Sequence, residues 1–170
     1  MAAKHLQDEF LQLVQSHQGL LHKVCHLYEN NTADREDLFQ EMILQLWKSY
    51  GSFRGEAKVS TWIYRIALNT ALSSIRKNKR RISVSYPEII PHEIADEKND
   101  TIQEEKLQFL HQAVACLSEI ERALVMLYIE EKNYDEMEEI MGISSGTLRV
   151  KMNRIKEKLR QQTKDFEYGT

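Results

Sequence analysis

Apolar residues in this chain recur three and four positions apart from one end to the other, and no stretch reads as a strand. That spacing lines one face of successive helices, so the expected fold is all-α. The 170 residues leave room for one ordinary domain or two small ones.

The first helix is expected from about His5 to Tyr28, with Phe10, Leu13, Val14, His17, Leu21, Val24 and Tyr28 on one side. Gly19 interrupts it at a cost of about 1 kcal/mol relative to alanine. The second starts near Asp34, where the acids Asp34, Glu36 and Asp37 suit the helix dipole. Its apolar side is Leu38, Phe39, Met42, Ile43, Leu46, Trp47 and Tyr50. The third, from about Val59 to Lys79, is apolar over most of its circumference and is expected to be the central helix of its domain.

Both prolines, Pro87 and Pro91, fall in a polar, acidic stretch that reads as a linker. The division is therefore a helical domain over 1–82, a flexible acidic linker over 83–100 and a second domain over 101–170. Thr101-x-x-Glu104 and Ser118-x-x-Glu121 are capping boxes that open helices. Helices are expected over about 118–131, 134–141 and 145–163, the last two joined by Gly142-Ile143-Ser144.

The net charge of −3 hides a pattern. Residues 76–81 read RKNKRR, five bases in six. Residues 83–116 hold seven acids and two bases, and residues 144–164 hold seven bases and one acid, Glu157. Two basic patches flank an acidic span, which bears on partners more than net charge does.

A helix, a turn with glycine and a longer basic helix outline a helix-turn-helix. On the last helix Leu148, Met152, Ile155 and Leu159 fall within an arc of roughly 60° at 100° per residue. Arg149, Val150, Asn153 and Arg154 point away from it, with Lys151 and Lys158 on one flank and Lys156 and Arg160 on the other. Arginine can pair with guanine, asparagine with adenine, and an aliphatic group with the thymine methyl, so this face suits a major groove. The bland alternative is a basic surface helix with no ligand.

The second helix turns Asp37, Gln40, Glu41, Leu44 and Lys48 away from its core side. A leucine among charges is either an interface anchor or incidentally exposed. The third helix carries a polar strip of Arg65, Asn69, Ser73 and Arg76, bordered by Trp62 and leading to Lys77 and the basic run. Such a line can stack bases, bond to base edges and hold phosphate, or it can be the solvent face of a core helix. Asn69 either captures an unpaired base or bonds within its own domain.

Other chemistry is sparse. His22-x-x-Cys25-His26 shares a helix face but has no fourth ligand nearby, so no metal site is expected. Cys25 and Cys116 are expected to be free thiols. No nucleophile-and-base pair or phosphate-binding glycine motif appears, so neither catalysis nor a cofactor is expected. Neither a secretory signal nor a membrane-spanning run is apparent, which makes the expected location cytoplasmic.

These residues converge on a family. The stretch DREDLFQEMILQLWKSYGSFRGEAKVSTWIYRIALNTALSSIRKNKR, residues 34–80, resembles region 2 of sigma factors of the extracytoplasmic-function class. LSEIERALVMLYIEEKNYDEMEEIMGISSGTLRVKMNRIKEKLR, residues 117–160, resembles sigma region 4. The resemblance spans about half the chain, in the family's order. It implies two helical domains, core RNA polymerase (β′ and β subunits) and promoter DNA as partners, and an anti-sigma protein that restrains the chain. It further implies that Asp37, Gln40 and Glu41, on the face with Leu44 and Lys48, dock on polymerase. Phe53, Arg54, Trp62, Arg65, Asn69, Arg76 and Lys77 fall in the part that captures the −10 element. Arg149, Val150, Lys151, Asn153 and Arg154, with Lys158, correspond to the −35 contacts. Two departures stand out. Glu138 occupies a position that usually holds a small residue, which bears on how tightly the helices cross, and Val150 replaces a small polar residue. The rival readings are a dimeric helix-turn-helix regulator that does not dock on polymerase, and a helical adaptor without nucleic acid.

Overall fold

A computed structural model describes residues 2–82, 113, 114 and 116–168. Among these residues every regular element is a helix. They are α1 (Ala2–Tyr28), α2 (Thr32–Tyr50), α3 (Val59–Ile82), α4 (Glu119–Ile129), α5 (Tyr134–Met141) and α6 (Ser145–Tyr168). The chain divides into two compact units, one centred on α1 to α3 and the other on α4 to α6. The expected linker at 83–100 and the capping box at Thr101 and Glu104 lie outside the described residues.

In the first unit each helix packs on the other two. Phe10, Leu21 and Val24 of α1 are buried against Leu38, Met42 and Leu46 of α2 and Ile63, Tyr64, Ala67, Leu68, Ala71 and Leu72 of α3. The larger share from α3 makes it the central helix, as its breadth of apolar surface requires. α1 runs unbroken through Gly19, whose glycine cost is offset by the burial of Leu21 and Val24 in the following turn. Trp47, expected in the core, is 42% exposed and covers only the edge of Phe10, at 5.0 Å between ring centres. Cys25 is buried in the core instead, although the apolar stripe read from the sequence passed it over.

Caps set the helix starts. Asn31 accepts a hydrogen bond from the Asp34 N–H at 2.7 Å, so α2 begins at Thr32, two residues before the acids. Ser118 and Glu121 form the expected box: the Ser118 hydroxyl accepts from the Glu121 N–H, and the Glu121 carboxylate accepts from the Ser118 N–H at 2.8 Å. Asn133 and Glu136 form a second box at the start of α5. α5 ends at Gly142, whose φ of +67° is the left-handed cap that glycine supplies without a Cβ clash.

In the second unit α4 packs on α6. Ala123, Leu124 and Leu127 of α4, Met137 and Ile140 of α5, and Leu148, Met152 and Ile155 of α6 are buried. The packing stripe expected on α6 is therefore present, with Leu159 half-buried at its far end. α6 continues to Tyr168, past the expected stop near 163, and α3 continues to Ile82. Neither extension contains a proline or glycine, so nothing in them forbids another helical turn.

Candidate nucleic-acid interface

On α6, Arg149, Val150, Lys151, Asn153, Arg154 and Lys158 are all exposed, opposite the buried stripe. Val150 is 50% exposed, so its branched apolar group is open to solvent on one side. Several cations of this face are held by neighbouring helices. The Arg149 guanidinium lies over the Tyr134 ring of α5, 4.7 Å from its centre. Lys156 sits over the Tyr128 ring of α4 and donates to its hydroxyl at 3.0 Å. That ammonium holds the Tyr128 phenol below its usual range.

Lys158, placed on a flank of the basic face by the sequence, also has a partner on α4. Its ammonium bonds Glu121 at 3.3 Å. The Glu121 carboxyl is held below its ordinary range, first by the Ser118 backbone N–H and then by Lys158. Lys158 therefore completes a cap as well as lying on the basic helix.

Glu138 raised a question of helix crossing that the geometry answers differently. Its side chain is exposed, and its carboxylate accepts the Ser145 N–H at 2.7 Å. It caps the first turn of α6, where free N–H groups and the helix dipole favour a negative charge. Buried Met137 and Ile140 carry the packing of α5.

In the first unit Asp37, Gln40, Glu41, Leu44 and Lys48 are all exposed on α2. Leu44 is 52% exposed, and Trp47, one turn on, is 42% exposed. The exposed apolar surface is thus larger than the single leucine visible in sequence. Phe53 and Trp62 form one aromatic unit, with ring centres 4.7 Å apart, and the Tyr50 ring lies 6.5 Å from Trp62. The loop that carries Phe53 and the exposed Arg54 turns at Gly55, with φ +73°.

Arg65, Asn69, Arg76 and Lys77 are exposed along α3, and no described residue hydrogen-bonds the Asn69 amide. Asn69, Ser73 and Lys77 line an open cleft of about 810 Å³ whose opposite wall on α2 includes Asp34, Asp37 and Glu41. The sequence assigned Asp37 and Glu41 to one surface and Asn69 and Lys77 to another, whereas the fold brings all four to one cleft. Burial, and then the Asp34 charge, raise the pKa of Glu29, which lines the same cleft.

The histidine–cysteine cluster does not converge. His22 stacks on Phe39 at 4.7 Å, and Cys25 points into the core. Burial, with the Glu29 charge, pushes the Cys25 thiol up to about 11, far from a reactive thiolate. No group of side chains among the described residues is placed to hold a metal ion. No described helix is long and apolar enough to cross a membrane.

Both units match known families. Sigma-70 region 2 matches residues 13–81, and Sigma-70, region 4, matches residues 108–159. ECF RNA polymerase sigma factor SigW of Bacillus subtilis is 28% identical, over 94% of this chain and 91% of that protein. ECF RNA polymerase sigma-E factor of Escherichia coli is 29% identical, over 80% of this chain and 78% of that protein. The sigma factor RpoE of Bartonella quintana, solved in complex with the anti-sigma factor NepR, shares the fold. Its TM-score is 0.67 at 22% identity, over 95% of this chain and 98% of that one. The chain belongs to the sigma-70 family, in the extracytoplasmic-function class.

Proposed function

We propose that this chain is the promoter-specificity subunit of RNA polymerase: it docks on the core enzyme, recognises −10 and −35 elements and helps to open the DNA. The observation that carries this is the pairing of two units in one chain. One presents an exposed basic helix as the second helix of a helix-turn-helix, and the other a line of half-buried aromatic and exposed amide and basic groups beside an exposed apolar surface. A dimeric duplex-binding regulator would use the first and leave the second without a role. The chain itself catalyses nothing in this reading and works where promoters and polymerase are, in the cytoplasm.

Within that reading, residues 1–82 form the region 2 domain, 83–100 the linker and 101–170 the region 4 domain. Asp37, Gln40, Glu41, Leu44 and Lys48 meet the polymerase β′ subunit, and β is the other core subunit among the chain's partners. Phe53, Arg54, Trp62, Arg65, Asn69, Arg76 and Lys77 serve the −10 element. Arg149, Val150, Lys151, Asn153, Arg154 and Lys158 serve the −35 element. An anti-sigma protein restrains the chain, by analogy with the Bartonella quintana sigma factor solved in complex with the anti-sigma factor NepR.

Run-off transcription with bacterial core polymerase and a genomic promoter library tests the proposal. Transcripts that start downstream of a shared pair of elements support it. Sequence-specific duplex binding by the chain as a dimer, with no polymerase-dependent initiation, contradicts it. The free chain is also expected to bind promoter DNA weakly at physiological salt, because residues 83–116 place seven acids between its basic patches. Tight sequence-specific binding by the isolated chain in a filter assay would overturn that expectation.

A further inference from the structure

We propose that Tyr134 and Glu138 are positioning residues for promoter reading, which together preset the direction of Arg149 before DNA arrives. This rests on α6 being the −35 reader. Tyr134 and Glu138 lie four residues apart on α5, and Ser145 and Arg149 lie four apart on α6, so each pair shares one helix face. The two faces meet at two points. Glu138 accepts the Ser145 N–H at 2.7 Å and fixes the first turn of α6. One turn along, the Arg149 guanidinium rests over the Tyr134 ring at 4.7 Å.

The chemistry of the second contact matters more than its strength. The contact is to the ring and not to the Tyr134 hydroxyl, and a guanidinium that stacks on an aromatic face keeps the N–H groups of its edge available. Bidentate pairing with guanine uses that edge. Tyr134 therefore restricts the rotamers of Arg149 without consuming its donors, and the ordering cost of binding is partly met in advance. The other two tethered cations differ: Lys156 donates to the Tyr128 hydroxyl and Lys158 to the Glu121 carboxylate. Of the three, Arg149 alone is held in a way that leaves it ready to read a base edge.

The test is a −35 base-preference profile for the full chain with bacterial core polymerase, in four forms. These are the unsubstituted chain, Tyr134→Phe, Tyr134→Leu, and Tyr134→Leu in an Arg149→Ala background. Preference is a ratio of affinities, so a loss of folded molecules cancels from it. Tyr134→Leu is expected to lower discrimination at one base pair by about two- to fivefold, the worth of an exposed cation–π contact. Tyr134→Phe keeps the ring and should keep the profile. With Arg149→Ala present, Tyr134→Leu should change nothing further. An unchanged profile for Tyr134→Leu, or the same loss with and without Arg149, would overturn the positioning role. If the unsubstituted chain supports no promoter-dependent transcription, the promoter reading itself fails, and this role with it.

Discussion

α3 and α6 are both long helices with a buried side and an exposed polar side, but they hold their exposed groups differently. On α6 the neighbouring helices tether three cations and cap the first turn. On α3 the exposed Asn69 amide has no hydrogen-bond partner among the described residues, and Asp37 and Glu41 line the far wall of its cleft. A preset face suits a ligand of fixed shape, such as the major groove of duplex DNA. Free groups suit a ligand whose shape changes on binding, such as a strand whose base leaves the stack. The acidic wall also disfavours phosphate in the cleft itself, so single-stranded DNA would cross α3 with its bases, not its backbone, toward Asn69. The proposed division, with reading on α6 and opening on α3, follows this difference between the two surfaces.

The largest expected effect lies on α2, outside both helices. Leu44→Ala with Glu41→Lys should weaken core polymerase binding while leaving helicity unchanged, because both side chains are exposed. A truncated anchor costs about 1–2 kcal/mol or more, and the charge reversal adds to it. Pull-down with core polymerase measures this, and undiminished recovery would move docking to another surface. Trp47, exposed beside Leu44, is the first place to look in that event.

On α6, Val150→Ser should shift base preference at one −35 position by about 1–3 kcal/mol, the worth of one good contact. Lys158→Ala should instead weaken all sequences alike and flatten the salt dependence. Because Lys158 also bonds Glu121, its loss should lower the melting temperature slightly as well. A Val150→Ser profile identical to that of the unsubstituted chain would remove the thymine-methyl contact.

The smallest effects are in pH dependence, and they have opposite signs in the two units. The folded Glu121 carboxyl titrates below its ordinary 4.5, so its contribution is complete above that pH and is lost as pH falls through the folded value. Glu121→Gln should remove this acid-side loss and destabilise α4 at neutral pH. Folded Glu29 titrates above 4.5, so it costs stability as pH rises through its raised value. Glu29→Gln should therefore raise the melting temperature of the first unit at neutral pH. Thermal melts of both variants from about pH 3 to pH 7 check this, and changes of the same sign at neutral pH would contradict the two environments.

Much of the fold was legible because it is written locally. Apolar spacing located all six described helices, and Ser118 with Glu121 marked the start of α4 to the residue. The start of α5 at residue 134 was also read, though not the cap that sets it. Asn133 with Glu136 is a capping box of the same pattern, but its asparagine passes easily for part of a turn. Candidate site residues were found as exposed faces, and all of those on α2, α6 and the polar strip of α3 are exposed. What joins them was not legible. The Lys158–Glu121 bond spans 37 residues and the Glu138–Ser145 bond spans seven, and both depend on how helices cross. The shared cleft of Asp37, Glu41 and Asn69 arises for the same reason, since helical spacing assigns a residue to a face but not to a neighbour.

The division of labour between α3 and α6 is tested most directly by permanganate footprinting of promoter complexes formed with Asn69→Ala and with Arg149→Ala. Each is compared with the amount of promoter bound. Asn69→Ala should bind polymerase and the −35 element normally, yet leave thymines near the start site unreactive. Arg149→Ala should reduce the amount bound, with normal reactivity per bound complex. Equal loss of binding and opening in both variants, or normal opening by Asn69→Ala, would contradict it.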